Sequence, residues 1–358
     1  MRATAGIAGA GLIGRLVAVE LLERNWDVIL FDKDTREGGK SAAYTGAGML
    51  APWCELESCS PEISRLGEEA IEHWPDFLQK LDQPVEFQRV GSLVVAHPGD
   101  EGELSHLQRK VARHLPDPSS MEAVSHERIL EIEPELFQTF NKGLFFPREG
   151  HINNRDLMTA MRATLERRGV TWHHHTTVTG LAPGRISTVH GQERFDWTFD
   201  CRGLGARTEM RQLRGVRGEV LYLCAPDVNL QRPVRLMHPR YPLYVIPRAG
   251  HRFVIGATSI ESDDMGDVTV RSMLEMLSAA YSLHPGFAEA RVSGAFVNCR
   301  PALPDNRPCI VALDGLLRIN GLYRHGFLLG PILIQRALNW LETGMVSPED
   351  HWLFRDAP

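Results

Sequence analysis

No stretch of this 358-residue chain is apolar for long enough to span a membrane, and none is repeated or low in complexity. The first absence argues against a membrane-spanning helix, the others against repeat arrays and disordered tails. Cysteine is sparse. Cys54, Cys59, Cys201, Cys224, Cys299 and Cys309 are scattered without a Cys-x-x-Cys pair, which reads as reduced thiols of a cytoplasmic protein and not as a disulfide frame or a zinc site. Positive charge is in deficit, 39 Lys and Arg against 45 Asp and Glu, so neither nucleic acid nor anionic lipid is an expected partner. The apolar N-terminus is broken by glycines, Arg15 and Glu20, unlike a signal peptide. What remains is an ordinary globular composition, 43% hydrophobic and 23% charged, long enough for two domains with a large core.

The most informative segment is Ile7-Ala-Gly9-Ala-Gly11-Leu12-Ile13-Gly14, followed by Asp32. After Gly14, the residues Leu16, Val17, Ala18, Leu21 and Leu22 recur with a helical period and leave Arg15, Glu20, Glu23 and Arg24 for solvent. A β-like run, Asp27 to Phe31, then ends in Asp32. This is a dinucleotide-binding βαβ fingerprint in its proper context. Gly9 suits the tight turn, Gly11 the close approach of backbone to a diphosphate, and Gly14 the packing of helix on strand. The helix N-terminus offers free N–H groups to phosphate, and Asp32 suits a ribose.

Beyond Asp32 lies a small-residue run, Gly38 to Pro52, of the kind that lets a backbone lie against a flat ligand. The pattern then predicts a helix over Pro61–Leu81, a strand in Phe87–Ala96, and two helical pieces leading to Pro134. A helix opens at Gly150–Leu157 and runs to Arg168. His173, His174 and His175 follow in a strand, where alternate side chains face opposite ways, so a shared metal is not expected. Phe199 to Ala206, with Gly203, is a second glycine-rich strand end that would line a cofactor crevice. Gly218–Leu223 reads as a strand, and Tyr241–Pro247 with Arg252–Thr258 as a hairpin. A helix is expected over Arg271–Leu283, and another over Ile332–Leu341 after the Gly321–Pro331 turn.

Four local patterns are specific: Gly46-Ala-Gly48-Met49-Leu-Ala-Pro52; Arg217-Gly-Glu219; Tyr244-Val-Ile-Pro247 through Gly256-Ala-Thr258; and Arg300-Pro301 followed by Tyr323-Arg324-His-Gly326-Phe327-Leu328-Leu-Gly-Pro331. In order and spacing the whole chain resembles the D-amino-acid-oxidase-like flavoprotein family, and within it the bacterial glycine oxidases of ThiO type. The resemblance implies FAD as cofactor. It implies an α/β fold with a discontinuous Rossmann-like FAD-binding domain (1–83, 147–215 and 297–358). The second, α+β substrate domain (84–146 and 216–296) would stand on an antiparallel or mixed sheet. It also implies oxidative deamination of glycine, sarcosine or a small D-amino acid. Hydride would pass from Cα to flavin N5, leaving an imine, with reoxidation by O2 to hydrogen peroxide, in the setting of thiamine thiazole synthesis.

By the same resemblance, Arg300 pairs with the substrate carboxylate, Tyr244 shares it through its hydroxyl, and Arg324 stands beside substrate and flavin. A planar guanidinium grips a carboxylate with two parallel hydrogen bonds, which suits Arg300. The cofactor set is Gly9, Gly11, Leu12, Ile13, Gly14, Asp32, Lys33, Gly48, Met49, Val178 (its backbone toward adenine), Gly203, Gly326, Phe327 and Leu328. No metal is expected.

The sequence departs from the family at Ser259, where methionine commonly follows Gly-Ala-Thr, and at Leu322, where histidine is common. It departs again at Ser41, Ala43 and Tyr44, where hydroxyl residues are more usual together. These changes leave FAD binding intact and the identity of the amine open. Two alternatives stand beside the oxidase: a dehydrogenase passing electrons to a quinone or protein, and a flavoprotein subunit or modifying factor without free amino-acid turnover. An NAD-dependent dehydrogenase is disfavoured by the Arg324 turn and the Gly46–Pro52 run. Homo-oligomerisation is left open. The segment Ala51–Pro61, with Trp53 and several acids, is expected to be a mobile lid.

Overall fold

The computed structural model describes residues 2–136, 140–238 and 243–356. One seven-stranded sheet runs in the order Phe354–Arg355, Cys309–Leu313, Leu316–Asn320, Trp197–Asp200, β1 (Thr4–Ala8), β2 (Asp27–Phe31) and Thr171–His173. Its pairs are parallel except Cys309–Leu313 with Leu316–Asn320. Strand β1 lies in the interior of the sheet, between Trp197–Asp200 and β2, and Ala5, Ile7 and Ala8 are wholly buried, as in a parallel strand covered on both faces. Helix α1 (Leu12–Glu23) joins β1 to β2 and packs against the helices Asn154–Arg167 and Gly326–Thr343.

Local chemistry explains where these helices begin and how they are tied. Asn153 caps its helix by accepting from the amides of Arg155 and Asp156. The helix Gly326–Thr343 starts before the expected Ile332 and carries Pro331 inside it. Proline has no N–H, so the carbonyl of Phe327, four residues earlier, is left free. It accepts from the indole N–H of Trp74 at 3.1 Å, which ties the helix Pro61–Leu78 to this one.

One expectation fails in α1. Arg15, assigned to solvent by the helical period, is fully buried. The period marks the face toward the sheet, but a second layer covers the next face: the helix Asn154–Arg167 and the loop at Arg36–Gly38.

The other large sheet has nine strands and is mainly antiparallel. Its backbone is the pair Arg214–Cys224 and Arg291–Ala302, which runs from Arg214↔Ala302 to Cys224↔Arg291 with a one-residue register shift between Tyr222 and Leu223. This pair runs across the expected boundaries at 215/216 and 296/297. The hairpin of Leu243–Arg248 and Arg252–Gly256 lies alongside, with Val245 opposite Ile255; Tyr241 and Pro242 lie outside the described residues. One parallel pair, Val234–Met237 with Ser92–Ala96, makes the sheet mixed. The helix Val270–Leu283 covers one face through Met276, Ala280 and Leu283. The other face presents Val220, Ile246 and Val254 toward Ala47.

His173 stacks on Phe31, ring centroids 4.9 Å apart. All six cysteines are unpaired. Among the described residues no helix is long and apolar enough to cross a membrane.

Candidate active site

A cavity of about 430 Å³ lies between the two large sheets, with Gly9 and Asp32 at one end and Tyr244, Arg300 and Arg324 at the other. That size is typical of a small-molecule site. At the first end β1 turns into α1. A Cβ on Gly14 would stand 1.8 Å from the carbonyl oxygen of Gly9, and one on Gly9 would stand 2.6 Å from that of Cys201. Both positions therefore exclude any side chain. Above Gly11 nothing lies within 4 Å of where a Cβ would be, so the turn opens into the cavity. The Asp32 carboxylate accepts from the amides of Ala10 and Asp34 and faces the same space.

The opposite end is built on the nine-stranded sheet. Alternate residues of a strand share a face, which puts Gly218 and Val220 beside Arg300, Gly256 and Tyr244. Two glycines let two polar side chains converge from neighbouring strands. The Arg300 guanidinium lies over Gly218, where a Cβ would meet its nitrogens at 2.3 and 2.5 Å. The Tyr244 hydroxyl lies over Gly256, 3.2 Å from where a Cβ would be. Arg300 Nη1 donates to the carbonyls of Thr258 at 3.1 Å and Arg217 at 3.4 Å, and no carboxylate among the described residues pairs with it. Burial, then the nearby Arg324, push its pKa down. Burial pushes the Tyr244 phenol up to about 12, so it is a hydrogen-bond donor throughout the neutral range.

Arg324 is differently placed. Its Nη2 donates to Glu55 Oε1 at 2.9 Å, and this carboxylate raises its pKa. Burial alone would raise the pKa of Glu55, but the charges of Arg324, Arg235 and Arg300 hold it below the ordinary value. Glu55 is therefore ionised. The neighbouring His325 is pushed down to about 4 by burial and adds no charge at neutral pH.

The remaining expected residues fall into two groups. Leu12, Ile13, Lys33, Gly48, Met49, Gly203, Gly326 and Phe327 line the cavity. Gly14, Val178 and Leu328 stand behind it. Gly14 packs on Gly9. Val178 packs with Phe31 and Ile186. Leu328 is buried against Gly67. The Arg217–Glu219 pair faces away from the cavity and braces the site from behind. Arg217 holds the carbonyls of Asp264, Gly266 and Asp267, and Glu219 accepts from the Thr258 hydroxyl at 3.0 Å. Ser259, the departure from the family, contacts the Tyr323 hydroxyl at 3.0 Å.

Sequence reasoning missed Glu55, and it misjudged the segment around it. Trp53, Cys54 and Leu56 are buried. The amides of Trp53 and Cys54 both donate to Glu149 Oε1, Arg235 donates to the Cys54 carbonyl, and Lys110 donates to that of Leu56. A segment with this many buried contacts is a packed wall and not a free lid.

Residues 5–336 match the sequence profile of the family described as FAD dependent oxidoreductase. The chain belongs to that family. It is 39% identical over 343 residues to a Rhizobium etli protein named a thiamine biosynthesis oxidoreductase, ThiO; the match covers 96% of this chain and 98% of the relative. It is 25% identical to the glycine oxidase of Geobacillus kaustophilus over 91% of this chain and 89% of the relative. The crystal structure of that glycine oxidase superposes with a TM-score of 0.84, covering 97% of this chain and 96% of the other at 24% identity. Iminodiacetate oxidase from Chelativorans sp. BNC1 gives 0.84 at 21% identity and 99% coverage of both chains. These two superpositions establish the fold.

As a member of this family the protein takes FAD, and the cavity fits it. The side-chain-free cradle at Gly9–Gly14 suits a diphosphate at a helix N-terminus. Asp32 offers acceptors where a ribose would lie. The Gly46–Met49 run and the Gly326 turn supply backbone along the rest of the space.

Proposed function

We propose that the protein oxidises the C–N bond of a small amino acid, glycine or a close analogue such as sarcosine, to an imine, with O2 as final electron acceptor and hydrogen peroxide as product. One observation carries this reading. Among the described residues the cavity is lined by three arginines: Arg202, committed to Asp200 and Glu209, Arg324, committed to Glu55, and Arg300, which has no carboxylate partner. A buried guanidinium without an anion is poised to take one.

FAD, when bound, supplies the two-electron acceptor chemistry. The chain's own residues bind and orient. Arg300 would hold the substrate carboxylate from the sheet side, and the Tyr244 hydroxyl, protonated at neutral pH, would donate to the same group. Fixing one end of a small substrate in this way restricts its orientation, which is the main contribution the protein makes to a reaction of this kind. Glu55 keeps Arg324 from competing for the carboxylate. No side chain need take a proton from the amine if it binds in its neutral form.

The name of the Rhizobium etli relative supports a place in thiamine biosynthesis. The six unpaired cysteines support action in the cytoplasm. The test is oxygen uptake and peroxide release by the purified yellow protein with glycine, sarcosine and small D-amino acids. Turnover with one or more of these is expected. A yellow protein that none of them reduces would overturn the reading.

A further inference from the structure

Arg15 is the most deeply buried cation of the nucleotide-binding region, with no exposed surface. Each nitrogen of its fork donates to a backbone carbonyl, and the three carbonyls come from three separate segments. Nε donates to Ala10 at 2.8 Å, Nη1 to Met158 at 2.6 Å and Nη2 to Arg36 at 2.7 Å. The guanidinium also stacks 5.0 Å from the Trp172 ring, and Gly38 makes room for it: a Cβ there would lie 2.6 Å from Nη2. Ala10 and Gly38 both line the cavity, so Arg15 lies directly behind the cavity floor, one turn into α1.

Carbonyl dipoles engage all three of its nitrogens but leave its charge. Among the described residues no carboxylate forms an ion pair with it. The charged groups that act on it are Asp32, Arg162, Asp34 and Glu166, with Glu37 beyond them. The nearest in effect, Asp32, is engaged by the amides of Ala10 and Asp34 instead. Burial pushes the Arg15 pKa down to about 10, which leaves it charged at neutral pH. A buried charge without an ion-pair partner is costly, and the fold places it behind the turn where the fingerprint seats a diphosphate.

We propose that Arg15 is the buried countercharge of the cofactor's diphosphate. It is a positioning residue that holds the Ala10 turn and the Arg36–Gly38 loop and makes the site prefer ligands carrying that diphosphate. The inference rests on FAD as cofactor and not on the amine reaction, so the two can fail separately.

The test uses full-length protein stripped of FAD and shown to rebind it, titrated with ADP and with adenosine. These two probes differ by the diphosphate alone. Arg15→Met is expected to weaken ADP about tenfold while changing adenosine by less than about twofold, as for a charge acting across a few ångströms of low-dielectric protein. Arg15→Lys, which keeps the charge but not the fork, should fall between. Equal loss for ADP and adenosine would show a merely structural role and overturn the proposal, as would no loss for ADP. If Arg15→Met does not fold, the wild-type protein decides. A buried countercharge is screened weakly, so the preference for ADP over adenosine should persist from low to high salt. Its disappearance at high salt would assign the preference to surface lysines such as Lys33 and Lys40.

Discussion

Arg324 donates to Glu55 at 2.9 Å, and this pair leaves Arg300 as the arginine of the cavity free to take an anion among the described residues. The two cations lie close enough for the Arg324 charge to disfavour that of Arg300. Glu55 cancels one of them. The site therefore presents one open positive charge where two arginines stand, which suits a substrate with one carboxylate.

Removing that cancellation should change what the site accepts. In Glu55→Gln the Arg324 charge becomes available to a second carboxylate. The ratio of kcat/KM for iminodiacetate or D-aspartate to that for glycine is expected to rise about tenfold, the scale of one new charge-assisted contact. Steady-state kinetics on the three substrates checks this. An unchanged ratio would mean that Arg324 does not reach the substrate.

Gly218 is the floor under Arg300. In Gly218→Ala the new methyl group would occupy the place of the guanidinium, within 2.3 Å of Nη2. The clash is with the end of a long side chain, so Arg300 should move and the fold should survive. The expected result is a KM for glycine raised about tenfold or more, as for loss of a charged contact. FAD content should be unchanged and Tm only slightly lower. A variant with wild-type KM would place the carboxylate elsewhere.

The wall around Glu55 should respond to pH. The Glu149 carboxyl, which accepts from the amides of Trp53 and Cys54, is pushed by burial from its ordinary 4.5 up to about 7, against the opposing pull of those amides. An acid whose pKa is raised by folding contributes stability that is present below its unfolded pKa and lost as pH rises through the folded one. The window here runs from about 4.5 to about 7. A shift of this size is worth on the order of 3 kcal/mol at most. Glu133 is raised to about 7 by burial in the same way and adds its own share. Thermal unfolding across this range should therefore show the wild type losing stability toward alkaline pH relative to Glu149→Gln. Parallel curves for the two proteins would contradict the assignment.

How much of this was legible in the sequence depends on how local each signal is. The Gly9–Gly14 turn and Asp32 could be read from spacing alone, because one βαβ unit contains the whole device. Arg300 and Tyr244 come from different strands, and only the family resemblance brought them together. Glu55 was not legible, since its partner Arg324 is 269 residues away and a lone glutamate in a loop carries no pattern. The same distance effect hid the packing of Trp53 and Cys54, whose anchor is Glu149. Arg15 was misread for a different reason. Helical periodicity reports the face turned to the sheet, whereas Arg15 is buried by a helix and a loop that the chain supplies much later and just after β2.

The most direct measurement is anaerobic reduction of the bound FAD by glycine, followed by its visible spectrum, in the wild type and in Arg300→Met. The account predicts rapid, saturable bleaching in the wild type. In the variant the apparent Kd should rise by about a hundredfold or more, as when one member of a buried charge pair is removed, with FAD still bound. Bleaching of the variant at wild-type glycine concentrations would show that Arg300 does not hold the carboxylate and would contradict the central claim.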